Sequence, residues 1–549
     1  MSTEAKIESL LKSARRHRLG DLLGRSAARM PKKTAIVYGG LRQTFAELDE
    51  VVNRTANALA TRGVSKGDHI AILSHNNHAF VVVRFALARL GAVMVPINFM
   101  LNASEVAYIL KNAEASGLIA EDALAATADA AIAEAKLKLK VKGAIREMLP
   151  TTPSGWECVQ DWMEHPNSIA PEVEIDDDEP VQMLYTSGTE SRPKGALLSA
   201  RCLYSHYTSC IIDGEMSSDD VEVHSLPLYH CAQLDCFLTP DIYLGATSIL
   251  LATPEAGILL RTIQAERVTK IFCPPTVWIS LLSHADFDKT DLSSLTKGYY
   301  GASIMPVEVL KELSARLPRV RLFNFYGQTE MSPVATILKP EDQMRKPGSA
   351  GRPAINVETR IVDDEDRPVP PGVVGEIVHR GPHVTLGYWK NPEKTAEVFR
   401  NGWFHSGDLG VIDEEGYLSV VDRKKDMIKT GGENVASREV EEMIFTHAAV
   451  SEVAVFGVPH PHWIEAVMAV IVLRAGHSIS ETEVVQFCRE RMASYKVPKL
   501  VEVIDELPKN ASGKILKREL RDRFAHRGKA LGANQPSLGE RQPVVPTPT

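Results

Sequence analysis

The first 180 residues alternate between helical and strand patterns, and this rhythm restricts the chain to folds built on largely parallel sheets. Apolar residues recur at helical spacing from Phe45 to Leu59, and the run at 69–73 predicts a buried strand. A helical run at about 78–90 and a second strand at 92–97 follow, and Asn102 with Glu105 predicts a capped helix that ends near Asn112. Strands that alternate with helices in this way predict an α/β fold.

The length of 549 residues predicts more than one domain. Residues 1–422 are predicted to form a large N-terminal domain of mixed sheets layered with helices, including a small β subdomain at 355–421. Residues 423–527 are predicted to form a small α+β C-terminal domain. Residues 528–549 are rich in Pro, Gly and Gln, which predicts a disordered tail. The charged run from Asp422 to Asp426 fits either a surface loop or an interdomain hinge.

Composition excludes several classes of function. The formal net charge of −8 argues against a nucleic-acid binder, whose affinity would depend on a basic surface. Seven cysteines without CxxC pairs favour a reducing cytoplasm over a disulfide framework or a zinc site. The N-terminus lacks the apolar core of a signal peptide, and the absence of a run of about 18 apolar residues predicts that no membrane span exists. Weak peripheral membrane association and a homodimer are left open.

Residues 185–195 read Tyr-Thr-Ser-Gly-Thr-Glu-Ser-Arg-Pro-Lys-Gly. Hydroxyl groups and backbone N–H groups in such a loop can surround a phosphate chain, and Lys194 can neutralise its charge. The pattern differs from the nucleotide-binding G-x-x-x-x-G-K-[ST] loop, because Lys194 follows Pro193 and precedes Gly195. The loop therefore indicates a phosphate binder of another kind, with an ordinary surface loop as the alternative.

Four further segments carry a family resemblance together with this loop. They are Asn324-Phe325-Tyr326-Gly327-Gln328-Thr329-Glu330, Gly402-Trp403-Phe404-His405-Ser406-Gly407-Asp408, Asp422-Arg423-Lys424-Lys425-Asp426-Met427-Ile428-Lys429 and Pro508-Lys509-Asn510-Ala511-Ser512-Gly513-Lys514. With these motifs in order, residues 20 to 525 resemble the adenylate-forming superfamily of acyl-CoA synthetases, peptide-synthetase adenylation domains and luciferases. The forms of the third and fourth segments are most similar to those of fatty acyl-CoA synthetases.

The resemblance implies a reaction in two halves. A carboxylate attacks the α-phosphate of ATP in the presence of Mg²⁺, which yields an acyl-adenylate and pyrophosphate. Coenzyme A then attacks the adenylate and releases AMP. Both halves depend mainly on electrostatic stabilisation around phosphate. The expected partners are thus a small carboxylic acid, ATP, Mg²⁺ and CoA.

The resemblance also implies roles for individual residues. Thr186 and Glu330 are expected to bind Mg²⁺, which prefers hard oxygen ligands. Lys194 is expected to neutralise the departing pyrophosphate, Tyr326 to stack on adenine, Thr329 to contact the α-phosphate, and Asp408 with Arg423 to bind the ribose. The remaining positions expected to bind ATP or AMP are Ser187, Gly188, Thr189, Gly301, Ala302, Ser303, Asn324, Gly327, Gln328 and Lys514.

The C-terminal domain is expected to rotate between the two half-reactions. By resemblance, Lys514 is the adenylation lysine, Lys425 occupies the hinge, and Gly431 with Gly432 lines the CoA channel. His230 resembles the histidine beside the acyl pocket, where it would be catalytic, and a packed core histidine is its alternative. Tyr300 is expected to narrow the entrance of that pocket.

Two features leave the substrate open. Glu190 stands in the phosphate loop where many relatives have a threonine, and Gln233 and Asp235 make the polarity of the acyl-pocket floor uncertain. A medium- or long-chain fatty acid is the favoured substrate. The alternatives are an aryl, small or branched acid, and a carrier-directed or non-catalytic relative that binds an acyl-adenylate.

Overall fold

The computed structural model describes residues 3–186, 192–303, 305–509 and 515–533. The N-terminal part alternates helices and strands as expected. Its elements are α1 Thr3–Ala14, α2 Asp21–Arg29, β1 Thr34–Tyr38, β2 Leu41–Thr44, α3 Phe45–Thr61, β3 His69–Leu73, α4 His78–Leu90, β4 Val93–Ile97, α5 Ala103–Asn112, β5 Gly117–Glu121, α6 Ala125–Ala135, β6 Val141–Ile145, β7 Glu157–Cys158 and α7 Val159–Met163. The capping box predicted from Asn102 and Glu105 is confirmed at the start of α5.

The middle of the chain continues the same alternation. Its elements are β8 Pro180–Thr186, β9 Lys194–Ser199, α8 Ala200–Asp213, β10 Val221–His224, α9 Cys231–Gln233, α10 Thr239–Leu244, β11 Thr247–Leu250, α11 Ala256–Glu266, β12 Lys270–Phe272, α12 Pro275–Ser283, β13 Lys297–Gly301, α13 Val307–Arg316, β14 Arg321–Gly327 and β15 Val334–Leu338. A π-helical turn, Leu234–Leu238, joins α9 to α10. Such turns are rare and often occur at functional sites.

Short strands dominate the next region, and a small α+β set of elements ends the chain. The elements are β16 Arg352–Pro353, β17 Glu358–Val362, β18 Gly375–Arg380, α14 Pro392–Val398, β19 Phe399–Arg400, β20 Trp403–Ile412, β21 Leu418–Arg423, β22 Ile428–Thr430, β23 Glu433–Val435, α15 Ser437–Phe445, β24 Val450–His460, β25 Ile464–Leu473, α16 Glu481–Arg489, β26 Leu500–Val503 and α17 Lys517–Ala533. The predicted α/β fold class, with a large N-terminal and a small C-terminal domain, is confirmed.

Two compact units divide the described residues. The first comprises 3–186, 192–303, 305–406 and 412–419, and the second comprises 407–411, 420–509 and 515–533. The segments 407–411 and 420–422 thus group with the second unit, whereas the sequence assigns them to the N-terminal domain. The boundary at residue 422 stays a prediction.

Layered sheets organise the first unit. One sheet has the strand order β7-β6-β5-β3-β4-β8-β9, in which only the last pair is antiparallel. Another has the order β16-β15-β14-β13-β12-β10-β11-β1-β2, with a parallel centre and antiparallel edges. Every residue of helix α4 from Ala79 to Leu90 is buried, which explains why its sequence is apolar apart from His78, Arg84 and Arg89. The helices that connect parallel strands also cover the faces of the sheet, which explains both the alternating sequence and the layered architecture.

The second unit is built on the strand order β23-β22-β25-β24, with β26 parallel to β25. Helix α17 extends to Ala533. The sequence analysis begins the disordered tail at residue 528, although residues 528–533 belong to this helix. Gly528 is buried against β24, where an added Cβ would lie 2.5 Å from the Pro459 carbonyl oxygen. Close packing therefore continues the helix through a residue of low helix propensity.

Candidate functional site

The predicted phosphate loop connects the two strands of a hairpin. Thr186 ends β8 and Lys194 begins β9, and these two residues are directly paired in the antiparallel register. The structure thus brings the predicted magnesium hydroxyl and the predicted pyrophosphate lysine to the same end of one hairpin. The intervening Ser187, Gly188, Thr189 and Glu190 lie outside the described residues. Just before the second strand begins, Arg192 packs its guanidinium over the ring of Tyr108 at 5.5 Å.

An aromatic residue that the sequence analysis missed connects Glu330 to this hairpin. Glu330 is 7% exposed, and its Oε1 accepts a hydrogen bond of 2.7 Å from the hydroxyl of Tyr388. The ammonium of Lys194 lies 5.8 Å from the centre of the Tyr388 ring. Tyr388 therefore connects two predicted site residues that are 136 positions apart in the sequence. The Gly387-Tyr388-Trp389 sequence was the only local signal that could have drawn attention to it.

The glycines beside β14 have structural reasons to be glycine. An added Cβ at Gly301 would lie 2.3 Å from the Phe325 carbonyl oxygen, and one at Gly327 would lie 2.0 Å from the Pro333 carbonyl oxygen. The neighbouring backbone therefore requires glycine at position 301, independently of any ligand. Ala302 adopts a left-handed conformation with φ of 61°, which is costly for a residue with a Cβ. Ala302 and Ser303 are exposed.

The other residues of the Asn324–Glu330 motif are held by neighbouring segments. The Asn324 amide donates to the Ser349 carbonyl at 2.9 Å, and the Gln328 N–H donates to the Pro333 carbonyl at 2.9 Å. The ring of Tyr326 is half-buried, 6.2 Å from the ring of His379. Thr329 begins a short 3₁₀ turn, and its hydroxyl lies 3.4 Å from the Cys231 thiol. This last contact brings the predicted α-phosphate residue beside the segment that carries His230.

His230 is half-buried, which separates it from a fully packed core histidine. It caps α9, and its Nδ1 accepts a hydrogen bond of 3.1 Å from the Ala232 N–H. A buried amide, Asn76, fixes the preceding loop: its Nδ2 donates to the carbonyls of Leu226 and Leu251 at 2.8 and 3.0 Å. Its Oδ1 accepts from the Leu228 N–H at 2.8 Å. The position of His230 therefore depends on a side chain about 150 residues earlier.

The polar residues after His230 are committed to the protein interior. Asp235 is fully buried and accepts hydrogen bonds from Arg84 at 2.8 Å, Gln182 at 2.7 Å and Tyr207 at 3.1 Å. The Gln233 amide contacts His224 Nδ1 at 2.8 Å. These two residues consequently anchor the π-helical turn, and the polarity that the sequence suggested for an acyl-pocket floor is used internally.

Tyr300 also lies in the core. It is 2% exposed, and its hydroxyl donates to Gln343 Oε1 at 2.6 Å, so its geometry gives no support for a place at the acyl entrance. Burial raises the pKa of Tyr300 above its usual range.

Two of the cysteines, which are scattered in the sequence, lie close together in the structure. The Cys210 and Cys236 thiols lie 3.2 and 3.8 Å from His206 Nε2.

The second unit holds the predicted ribose and hinge residues. Asp408 is largely buried, and its Oδ1 lies 3.4 Å from Arg423 Nε, so the structure pairs the two residues assigned to the ribose. The turn after β21 is closed by the N–H groups of Asp426 and Met427, which donate to the Arg423 carbonyl at 2.9 and 3.1 Å. Lys425 is exposed on this turn.

Gly431 and Gly432 form the turn between β22 and β23. Their φ angles are 60° and 89°, which favours glycine at both positions. An added Cβ at Gly432 would meet nothing within 4 Å, so the backbone conformation, not packing, requires this glycine. Lys514 lies outside the described residues.

The first unit supplies oxygen ligands of the chemical type that magnesium prefers. Mg²⁺ prefers hard oxygen ligands and is usually held by one or two protein groups together with substrate phosphates. The Thr186 hydroxyl and the Glu330 carboxylate are such groups, and Lys194 adds a positive charge for phosphate beside them. Bound Mg²⁺ would neutralise phosphate charge during adenylation.

Comparisons with known proteins identify the family of this chain. A family model of the AMP-binding enzymes matches residues 23–389, and a model of the AMP-binding enzyme C-terminal domain matches 439–514. A feruloyl-CoA synthase of an Amycolatopsis species is 38% identical over 506 residues, which cover 92% of this chain and 99% of that protein. A long-chain-fatty-acid–CoA ligase of Bacillus subtilis is 33% identical, with 91% of this chain and 94% of that protein covered.

A solved structure is similar along nearly the whole chain. The ATP-bound MatB of Rhodopseudomonas palustris has a TM-score of 0.84 and 30% identity, with 93% of this chain and 100% of that chain covered. No described helix is long and apolar enough to cross a membrane. The chain belongs to the AMP-binding, adenylate-forming enzyme family and is an AMP-forming acyl-CoA synthetase that uses ATP, Mg²⁺ and coenzyme A.

Proposed function

We propose that this CoA ligase acts on a compact, aryl-substituted carboxylic acid. The observation that carries the proposal is an aromatic cluster beneath the segment after His230. Phe237, on the π-helical turn, stacks on Phe272 at 4.5 Å and lies 5.1 Å from Tyr299 and 5.6 Å from Phe325. All four rings are buried. For an acid bound against this turn, a long alkyl chain would have to displace these rings, whereas a flat acid could end above them.

Further aromatic residues pack against Tyr229, which directly precedes His230. Tyr229 lies edge-on to Phe99 at 5.4 Å, and Phe99 packs against His75 at 3.9 Å. The 38% identity to a feruloyl-CoA synthase supports an aryl acid. A medium- or long-chain fatty acid remains the second candidate, which the 33% identity to a long-chain-fatty-acid–CoA ligase and the sequence motifs favour.

An acid panel tests this proposal. The purified full chain is assayed with ATP, Mg²⁺ and CoA against cinnamic-type and arylacetic acids, and against hexanoic, decanoic and hexadecanoic acids. We expect kcat/KM for the best aryl acid to exceed that for every fatty acid by at least about tenfold, a difference of about 1.4 kcal/mol. A higher kcat/KM for a fatty acid than for every aryl acid would make the fatty acid the substrate instead. AMP release that stays independent of CoA would indicate another acceptor, and no AMP with any acid would favour a non-catalytic binder.

Asn76 offers a test of the loop that carries His230. Asn76→Ala should lower kcat/KM about ten- to a hundredfold, because an unsatisfied buried polar group costs about 1–3 kcal/mol and the loop would move to relieve it. Steady-state kinetics with the best acid measure the effect. Asn57→Ala is a matched control, since the Asn57 amide likewise donates to backbone carbonyls, those of Asn53, Asn167 and Ile169. Equal losses in both variants would contradict a specific role for Asn76.

We also propose that the second unit turns at Lys425 between the half-reactions, with the domain boundary near residue 422. The turn at 423–427, in which Lys424 and Lys425 are exposed, and the positive φ angles of Gly431 and Gly432 support this proposal. Lys514 is proposed as the adenylation lysine, and Asp408 with Arg423 as the ribose-binding pair. A cytoplasmic location is proposed from the seven free, buried cysteines. A homodimer and weak peripheral membrane association stay predictions.

A further inference from the structure

The segment at 386–389 runs alongside β9 and thereby reaches the phosphate-loop hairpin. The Leu386 N–H donates to the Leu197 carbonyl at 2.9 Å, and the Leu197 N–H donates to the Gly387 carbonyl at 3.0 Å. The Trp389 N–H donates to the Gly195 carbonyl at 2.8 Å. These bonds flank Tyr388 on both sides and fix its backbone next to Lys194.

Contacts with Thr395 fix the local conformation of Tyr388. Its N–H donates to the Thr395 hydroxyl at 3.0 Å. Gly387 has φ of 113°, and an added Cβ there would lie 2.9 Å from the Thr395 side chain, so only glycine allows this approach. The direction of the Tyr388 side chain is therefore determined by the backbone that precedes it.

Tyr388 then contacts both charged groups of the phosphate site. Its hydroxyl donates to Glu330 Oε1 at 2.7 Å, and its ring faces the Lys194 ammonium at 5.8 Å. The Glu330 carbonyl accepts from the Thr385 N–H at 2.8 Å, so the same segment holds the backbone of Glu330 as well. A hydrogen bond to one carboxylate oxygen fixes the rotation of the carboxylate and directs the other oxygen elsewhere.

We propose that Tyr388 is a positioning residue that orients the Glu330 carboxylate toward magnesium and holds Lys194 beside the leaving pyrophosphate. This inference rests on the proposed roles of Glu330 and Lys194. The hydroxyl acts on the magnesium ligand, and the ring acts on the lysine through a cation–π contact. Outer partners of this kind change metal affinity about ten- to a hundredfold when they are removed.

Two substitutions separate the two contacts. Tyr388→Phe removes the hydroxyl and keeps the ring, so the Mg²⁺ concentration for half-maximal pyrophosphate release should rise about tenfold, with a smaller loss of rate at saturating Mg²⁺. Tyr388→Leu removes the ring as well and should further raise the KM for ATP. Tyr38→Phe is the matched control, because the Tyr38 hydroxyl also donates to a carboxylate, that of Glu147, at 2.7 Å.

A second readout keeps the inference distinct from the proposed function and from misfolding. Thioester formation from supplied acyl-adenylate and CoA releases no pyrophosphate, so Tyr388→Phe should leave its rate within about twofold of the unsubstituted protein. An unchanged Mg²⁺ dependence, or equal losses in both half-reactions, would overturn the inference. If the unsubstituted protein itself forms no adenylate from any acid of the panel, the proposed function fails instead.

Discussion

Replacing Lys514 by alanine should lower the rate of acyl-adenylate formation about a hundred- to a thousandfold. As the acid carboxylate attacks the α-phosphate, negative charge builds on both groups, and a flexible ammonium can bridge them. Loss of one such preorganised electrostatic contact typically costs a factor of about 10²–10³ in rate. Thioester formation from supplied acyl-adenylate should remain, because the acyl–phosphate bond has already formed. Pyrophosphate release and thioester formation, measured separately, give the two rates.

Lys509→Ala is the control for this prediction. Lys509 belongs to the same sequence motif, but its ammonium pairs with Glu452 at 2.7 Å, which indicates a structural role. It should therefore keep both half-reactions near the rates of the unsubstituted protein. Near-normal pyrophosphate release by Lys514→Ala would remove Lys514 from the adenylation step.

Much of the fold was predictable because its signals are local. Helix α4 and strands β3 and β4 follow from apolar runs of the right length, and the start of α5 follows from a capping box. These features depend on residues that are close together in the sequence. The end of α17 was missed for the opposite reason, since Gly528 is tolerated only because the helix packs on β24.

The motifs of the candidate site can be recognised in the sequence, but the contacts that connect them cannot. Thr186, Lys194 and Glu330 were assigned by resemblance, whereas Tyr388, which connects the last two, occurs in none of the quoted motifs. Asp235 shows the same limit, because its partner Arg84 lies 151 positions away. A carboxylate in a sequence gives no indication of whether it faces a ligand or an arginine in the core. Such contacts are set by how sheets and helices stack.

The hinge assigned to Lys425 predicts a second large effect, one that divides the two half-reactions. Lys425→Pro should reduce thioester formation about a hundredfold while adenylation changes by only a few fold. Proline fixes φ near −65° and restricts the preceding residue, so a rotation that needs a new backbone conformation at 425 would be blocked. A hundredfold loss corresponds to raising the free energy of the rotated, thioester-forming state by about 2.7 kcal/mol.

The surrounding contacts define both the control and the contradicting result. Asp422 accepts hydrogen bonds from the N–H groups of Arg423 and Ser437 at 2.8 and 2.7 Å, so the chain is anchored just before the exposed turn. Lys425→Ala removes the charge, keeps the backbone free, and should retain both half-reactions. Proline must also fit the turn closed by the Asp426 N–H and the Arg423 carbonyl. If it simply broke that turn, both half-reactions would fall together, and equal losses would therefore argue against rotation at Lys425.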